Sequence, residues 1–265
     1  MAVLSVDLAY RRWTDLGIVV LDCEDAPAGS RNLPAIQCEV IPVETLTTDT
    51  GAPEMREKVD PLDLANRLQC FCRKREINIL LLDGPQAWKS RTNGQEYARV
   101  SERALNTAAK TGLPGEVRPR TYTHFAEFSI AVFNALTLLG WNRLSTKRRP
   151  GDEAERLLVE SYPHAAWKSL GLKPLPSKRR AHVQDLAAGF NALRALIPFE
   201  VNQRLSHDQL QAIAGGLPGL SLEGHNAAGA RIVGHPPFRE DGHWREGFIV
   251  LPLPPNPSPG IRWFD

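Results

Sequence analysis

The chain has 265 residues, with 32 Lys and Arg against 30 Asp and Glu, a formal net charge of +2 and 42% apolar residues. That length suits one large domain or one domain with an appendage, and a charged fraction of 23% with a mean hydropathy of -0.29 excludes a wholly disordered chain. The near-zero net charge excludes a nonspecific polybasic binder, and no apolar run approaches the ~18–20 residues that span a bilayer.

At the N-terminus, Met1 to Tyr10 has no basic region ahead of its short apolar stretch. It does not read as a signal peptide, so the expected address is the cytoplasm, with no membrane partner. Val3 to Ala9 (VLSVDLA) is a β-prone run carrying one acid, Asp7. Gly17 to Leu21 and Ala35 to Leu46 follow with polar turns between, which predicts an antiparallel meander. Pro61 to Arg75 switches to helical period, with Leu62, Ala65, Leu68 and Phe71 on one face. Ile77 to Leu82 (INILLL) is continuously apolar, as in a central strand covered on both faces, and it stops at Asp83-Gly84-Pro85.

Helical spacing returns over Glu96 to Lys110 and again over Phe125 to Leu139, before a strand at Leu157 to Tyr162 (LLVESY). A further helix is predicted over His182 to Ile197. Ser206-His207-Asp208-Gln209 is a capping box that opens another, with Leu205 and Leu210 placed to form a hydrophobic staple. After Gly219 the composition turns to Gly, Pro and His, with hairpin-like strands at Ala230–Val233 and Gly247–Leu251 and a proline-rich stretch from Pro252 to Pro259. Three antiparallel strands, a helix, then parallel strands alternating with helices make an α/β fold of the ribonuclease H-like kind: a mixed sheet flanked by helices. The expected organisation is such a domain over residues 1–219, with a β extension over 220–265 packed on it.

Cys23, Cys38, Cys70 and Cys72 have no zinc-site spacing and read as thiols. His225, His235 and His243 read as loop histidines, and Trp88, Trp141 and Trp167 as packing residues that are also able to stack on bases. No nucleophile elbow, P-loop or dinucleotide fingerprint is present. Basic triplets at Arg73-Lys74-Arg75, Lys147-Arg148-Arg149 and Lys178-Arg179-Arg180 fit solvated helix ends and loops as well as phosphate contacts.

Four carboxylates stand out: Asp7 in the first strand, Asp83 at the end of INILLL, Glu160 within LLVES, and Asp208 in the first turn of a helix. Each has an ordinary alternative. Asp83 suits a turn, Glu160 an exposed edge, and Asp208 the positive end of a helix dipole. Asp7 is the hardest to explain that way, because Val6 and Leu8 place it in a central strand. Two carboxylates ~4 Å apart repel by about 4 kcal/mol at an effective dielectric of 20. Hard divalent cations remove that penalty, and a pair of them suits phosphodiester hydrolysis.

VDLA at Val6–Ala9, LLDGPQAW at Leu81–Trp88, R-x-x-E-R-x-L at Arg99–Leu105, VESYPHAAW at Val159–Trp167 and HDQLQA at His207–Ala212 occur in that order. Over roughly residues 3 to 217 the chain resembles the ribonuclease H-like nucleases of the domain-of-unknown-function family numbered four hundred and twenty-nine. That resemblance implies a Mg²⁺- or Mn²⁺-dependent nuclease acting on DNA or RNA, with Asp7, Asp83, Glu160 and Asp208 as catalytic metal ligands. Lys178, Arg179 and Arg180 would hold phosphate at the rim. The chain departs from the pattern at Gln211, where a second acid is common in the last motif, and at the basic triplet, which replaces a Gly-Tyr pair. A non-catalytic binding or scaffold protein with a degenerate site is the alternative. A phosphotransferase is a third reading, weakened because no glycine-rich phosphate loop follows Asp7.

Overall fold

The computed structural model describes residues 2–23, 35–145, 156–201, 203–225, 227–255 and 260–264. The expected meander is present: β1 (Val3–Asp7), β2 (Gly17–Cys23) and β3 (Ile36–Val40) pair antiparallel in succession. A crossover through α1 (Pro61–Lys74) brings β4 (Ile79–Asp83) parallel to β1; β6 (Leu157–Ser161) then lies parallel to β4, with the short β5 (Asn142–Arg143) parallel beside it, and the short β7 (Phe199–Glu200) lies parallel to β3. The order β3-β2-β1-β4-β6, with β2 alone reversed against its neighbours β1 and β3, is the ribonuclease H-like mixed sheet that the element pattern predicts.

Local chemistry explains the elements. Asp60 caps α1 by accepting from the amides of Leu62 and Asp63, both at 2.9 Å, and Pro61 occupies the first helical turn, where a missing N–H costs nothing. The buried face of α1 is Leu64, Ala65, Leu68, Phe71 and Cys72, whereas Leu62, expected inside, is 56% exposed. Ile79, Leu80, Leu81 and Leu82 are all fully buried because β4 is covered on both faces. Leu80 and Leu82 meet α1 and α3 (Thr123–Leu138), while Ile79 and Leu81 point to the opposite core. The helix expected over Glu96 to Lys110 shrinks to α2 (Val100–Leu105), ended by Asn106 in the left-handed conformation at φ 47°. Its flanks instead spend their backbone groups on buried side chains, which helical spacing does not reveal.

Beyond β6 come α4 (Pro163–Ser169), α5 (Val183–Leu196) and α6 (His207–Glu223). The capping box of α6 forms: Gln209 N–H donates to Ser206 Oγ at 3.3 Å, and Ser206 N–H to Gln209 Oε1 at 2.8 Å. The helix runs through Gly219, so the boundary expected at 219/220 falls inside it. Residues past it enter the sheet: β11 (Ile249–Leu253) lies parallel to β6, pairs antiparallel with β8 (Gly229–Val233), and β12 (Ile261–Phe264) adds alongside β8. A small hairpin, β9 (Phe238–Glu240) with β10 (His243–Arg245), sits between β8 and β11. The C-terminal segment is thus continuous with the sheet through β11. Composition marked it off because Gly and Pro report its turns and not its pairing.

Cys38, Cys70 and Cys72 are free thiols, and burial pushes the Cys38 thiol up to about 12. Trp88, Trp141 and Trp167 are buried, with the indoles of Trp141 and Trp167 donating to Gln69 and Gln211 at 2.6 and 2.8 Å. The Lys147-Arg148-Arg149 triplet and Asn256 to Pro259 lie outside the described residues. Among the described residues no helix is long and apolar enough to cross a membrane.

Helix α6 lies close to the sheet because small residues face each other. A methyl group at Gly17 would overlap the backbone carbonyl of Asp208, and one at Gly216 would come within 2.6 Å of Ser5 Cβ. Ser5 Oγ donates to the Ala212 carbonyl at 2.7 Å, a helix-to-strand bond that this closeness allows. Gly17→Ala is expected to destabilise the protein by about 1–3 kcal/mol, as overpacking against backbone does. Urea unfolding checks this; an unchanged midpoint would mean that α6 does not need the space.

Candidate acidic site at the strand ends

Asp7 and Asp83 end β1 and β4, which pair in parallel register up to Val6 and Leu82. Both carboxyls therefore emerge at the carboxyl edge of the sheet, where crevices form in open α/β folds. They are half-buried, and the Asp83 charge acts on Asp7. Burial, the Asp83 charge and the Asp208 charge raise Asp7 well above the usual carboxylate range. Burial pushes Asp83 up to about 6, against the lowering effect of its hydrogen bond from Asp7. One proton held between the two carboxyls accounts for both directions.

Asp208 reaches the pair because Gly17 is the register partner of Asp7 and leaves room for the first turn of α6. Its own counterion is already in place. Lys178 Nζ lies 2.5 Å from Asp208 Oδ2 and 2.8 Å from Asp15 Oδ1. His207 adds a ring nitrogen 3.3 Å from the other oxygen of Asp208, while its Nε2 lies 2.9 Å from the Pro176 carbonyl. The basic triplet therefore splits: Lys178 turns toward the acids, and Arg179 and Arg180 stay exposed beside them in sequence.

Glu160 is placed differently. Arg99 grips it in two parallel bonds, Nη1 to Oε2 at 2.7 Å and Nη2 to Oε1 at 2.6 Å, and the Gln86 amide adds a third at 3.0 Å. Arg99 is 1% exposed and Glu160 3%. Burial raises the Glu160 carboxyl, and the Arg99 charge opposes it. Glu102 closes the other side of the guanidinium at 3.1 Å and accepts from the amide and hydroxyl of Thr111. Nearby, Glu246 takes the amides of Ser90 and Val100 at 2.8 Å and the Asn93 side chain at 2.6 Å. The exposed-edge alternative for Glu160 is thereby excluded, while its two oxygens are engaged by protein.

The structure thus gathers Asp7, Asp83 and Asp208 about one edge, with Glu160 set behind Asp83 in an ion pair. Among the described residues no group of three or more His, Cys, Asp or Glu is disposed as a ready metal cage. Gln211 accepts from Trp167 and so belongs to the packing of α4 on α6. Sequence reasoning gave no role to Arg99, Glu102, Glu246 or Asp15. The R-x-x-E spacing that carries Arg99 and Glu102 was visible as a motif, but nothing in the chain pairs it with Glu160 sixty-one residues on. Two hollows meet at this edge: one of about 300 Å³ lined by Asp7, Arg11, Lys178 and Asp208, and one of about 290 Å³ lined by Asp83, Glu160 and aromatic rings.

No protein-family model and no curated protein sequence matches the chain. Among solved structures it is similar to a Thermus thermophilus RuvC structure, at 13% identity and a TM-score of 0.36, covering 84% of this chain and 97% of that one. So distant a similarity transfers no residue's role. The ribonuclease H-like α/β fold rests on the strand order, and the acidic strand-end cluster is a candidate site.

Two outcomes follow. A carboxyl raised on folding contributes stability that is complete below its unfolded value, about 4, and is lost as pH rises through about 6. The metal-free protein should therefore lose stability across that window more steeply than Asp83→Asn; parallel pH profiles of unfolding free energy would refute the shared proton. Arg99→Ala strands Glu160 without its counterion and should cost about 3–5 kcal/mol. Arg99→Ala with Glu160→Gln should recover part of that loss in a double-mutant cycle.

Proposed function

We propose that the protein is a divalent-cation-dependent phosphodiesterase acting on nucleic acid. One observation carries this reading: Asp7 and Asp83 end adjacent central strands in parallel register, and the first turn of α6 brings a third acid, Asp208, to the same edge. Such a pair is strained at neutral pH and fits a hard cation with oxygen ligands. Asp7 and Asp83 are the residues that would hold Mg²⁺ or Mn²⁺, and Asp208 would complete the set once Lys178 moves. Bound there, the cation would lower the pKa of a coordinated water and polarise a phosphoryl oxygen. Glu160, held by Arg99, fixes the surroundings of Asp83 and keeps further negative charge beside the pair. Arg11, Arg179 and Arg180 are exposed cations suited to phosphates.

A second reading is favoured by two contacts. Lys178 on Asp208 and Arg99 on Glu160 neutralise two of the four acids internally, as a non-catalytic nucleic-acid-binding protein would allow. Asp7→Asn separates the two. For a catalytic site it should abolish Mn²⁺-dependent cleavage and weaken Mn²⁺ binding in calorimetry, while raising the melting temperature without metal because repulsion is relieved. Unchanged cleavage by a preparation free of contaminating nuclease would sink the catalytic reading. In either case Arg179 and Arg180 should carry phosphate contacts. Changing both to Ser should reduce the salt slope of nucleic-acid binding by roughly 1.4–1.8, at about 0.7–0.9 per contact. A slope left intact would place the nucleic acid elsewhere.

A further inference from the structure

The hollow beside Asp83 differs in kind from the one beside Asp7. Tyr122, Phe125 and Tyr162 line it, with Ala108, Ala109 and Ile249. Charged groups at its floor are satisfied by protein: Glu160 by Arg99 and the Gln86 amide, Glu102 by Arg99 and Thr111. It offers little to an anion and suits a flat uncharged ring. At about 290 Å³ it lies at the lower limit of small-molecule sites, ~300–1,000 Å³, which is room for one ring system and not for a duplex. The neighbouring hollow is charged instead, with exposed Arg11 and Lys178 standing among Asp7, Asp15 and Asp208. Phe125 lines both and so divides them, while Asp83 lines one and Asp7 the other from the ends of adjacent strands.

An aromatic slot on one side of a carboxylate pair and a charged hollow carrying Arg11 on the other match the two chemistries of a nucleotide, the phosphate being drawn by Arg11 and by the divalent cation that Asp7 and Asp83 would hold. We infer that the slot walled by Tyr122, Phe125 and Tyr162 takes a single unstacked nucleobase, placing its phosphate across Asp7 and Asp83. This rests on the phosphodiesterase reading and narrows it. The substrate is a strand that presents a nucleotide out of the stack, in single-stranded or distorted nucleic acid. A base inside a regular duplex would have to leave its neighbours to enter. Recognition through ring faces tolerates any base, so the slot selects unstacking more than sequence.

Calorimetry on the full chain with Mn²⁺ present tests this without any need for cleavage, since a mononucleotide has no phosphodiester. A nucleoside 5′-monophosphate should bind about tenfold or more tightly than ribose 5-phosphate, which has no base. Ala109→Trp, which fills the slot, should remove that advantage and leave ribose 5-phosphate binding as it was. Tyr122, 40% exposed, gives a second variant that does not threaten folding, and Tyr122→Ala should reduce mononucleotide affinity in the same selective way. Equal binding of the two ligands, no mononucleotide binding at millimolar concentration, or mononucleotide affinity unmoved by both variants would overturn the inference. The two readings fail separately. Cleavage of an oligonucleotide at an abasic residue as fast as at a normal one removes the base slot alone, whereas mononucleotide binding without any Mn²⁺-dependent cleavage removes the phosphodiesterase alone.

Discussion

The close approach of α6 to the sheet is the constraint on which the site depends. Gly17 and Gly216 remove the side chains that would hold the helix off, and Ser5 bonds the helix backbone across the gap. Asp208, in the helix's first turn, is thereby set near Asp7 on the adjoining strand. The residues from Leu210 to Glu223 other than Gln211 are buried as a consequence, including Pro218 inside the helix. Position and packing are one property here, because the turn that carries the acid is the turn that touches the sheet.

Charge at this edge is handled by three devices, and they have different consequences. Burial raises the Asp7 and Asp83 carboxyls and so favours their protonated forms, a solution that fails as pH rises. Asp208 is paired with Lys178, whose side chain is half exposed, so the pair is screened and can be exchanged for another cation. Glu160 is paired with Arg99 behind the surface, in a dry geometry that a bidentate guanidinium fills and a lysine would not. The replaceable cations lie toward solvent and the permanent one lies inside. That gradient divides the edge into a part open to ligands and a part that holds its shape.

The C-terminal strands bear on the same gradient. By pairing with β6, β11 covers the flank of the strand that carries Glu160, and the residues just before it bring Glu246 beside Arg99 and the start of α2. A segment that composition sets apart thus supplies part of the wall behind the acids. The hairpin between β8 and β11 adds Trp244, with the Arg143 and Arg239 guanidiniums each 4.7 Å from its ring centre.

Sequence alone determined the central strands, most helix spans and the capping of α6, since periodicity, apolar runs and cap residues are local and each is written in a few adjacent positions. It also singled out Asp7 and Asp83, because an acid at the end of an apolar run is conspicuous without any knowledge of its neighbours. The tertiary structure alone decided which charges meet. Arg99 finds Glu160, Lys178 finds Asp15 and Asp208, and Glu246 finds the Val100 amide across separations of thirty to more than one hundred and sixty residues. A charged side chain looks the same in the sequence whether it ends in water or against a partner. Only the path of the backbone, which β11 extends and α6 presses close, determines which of the two it meets.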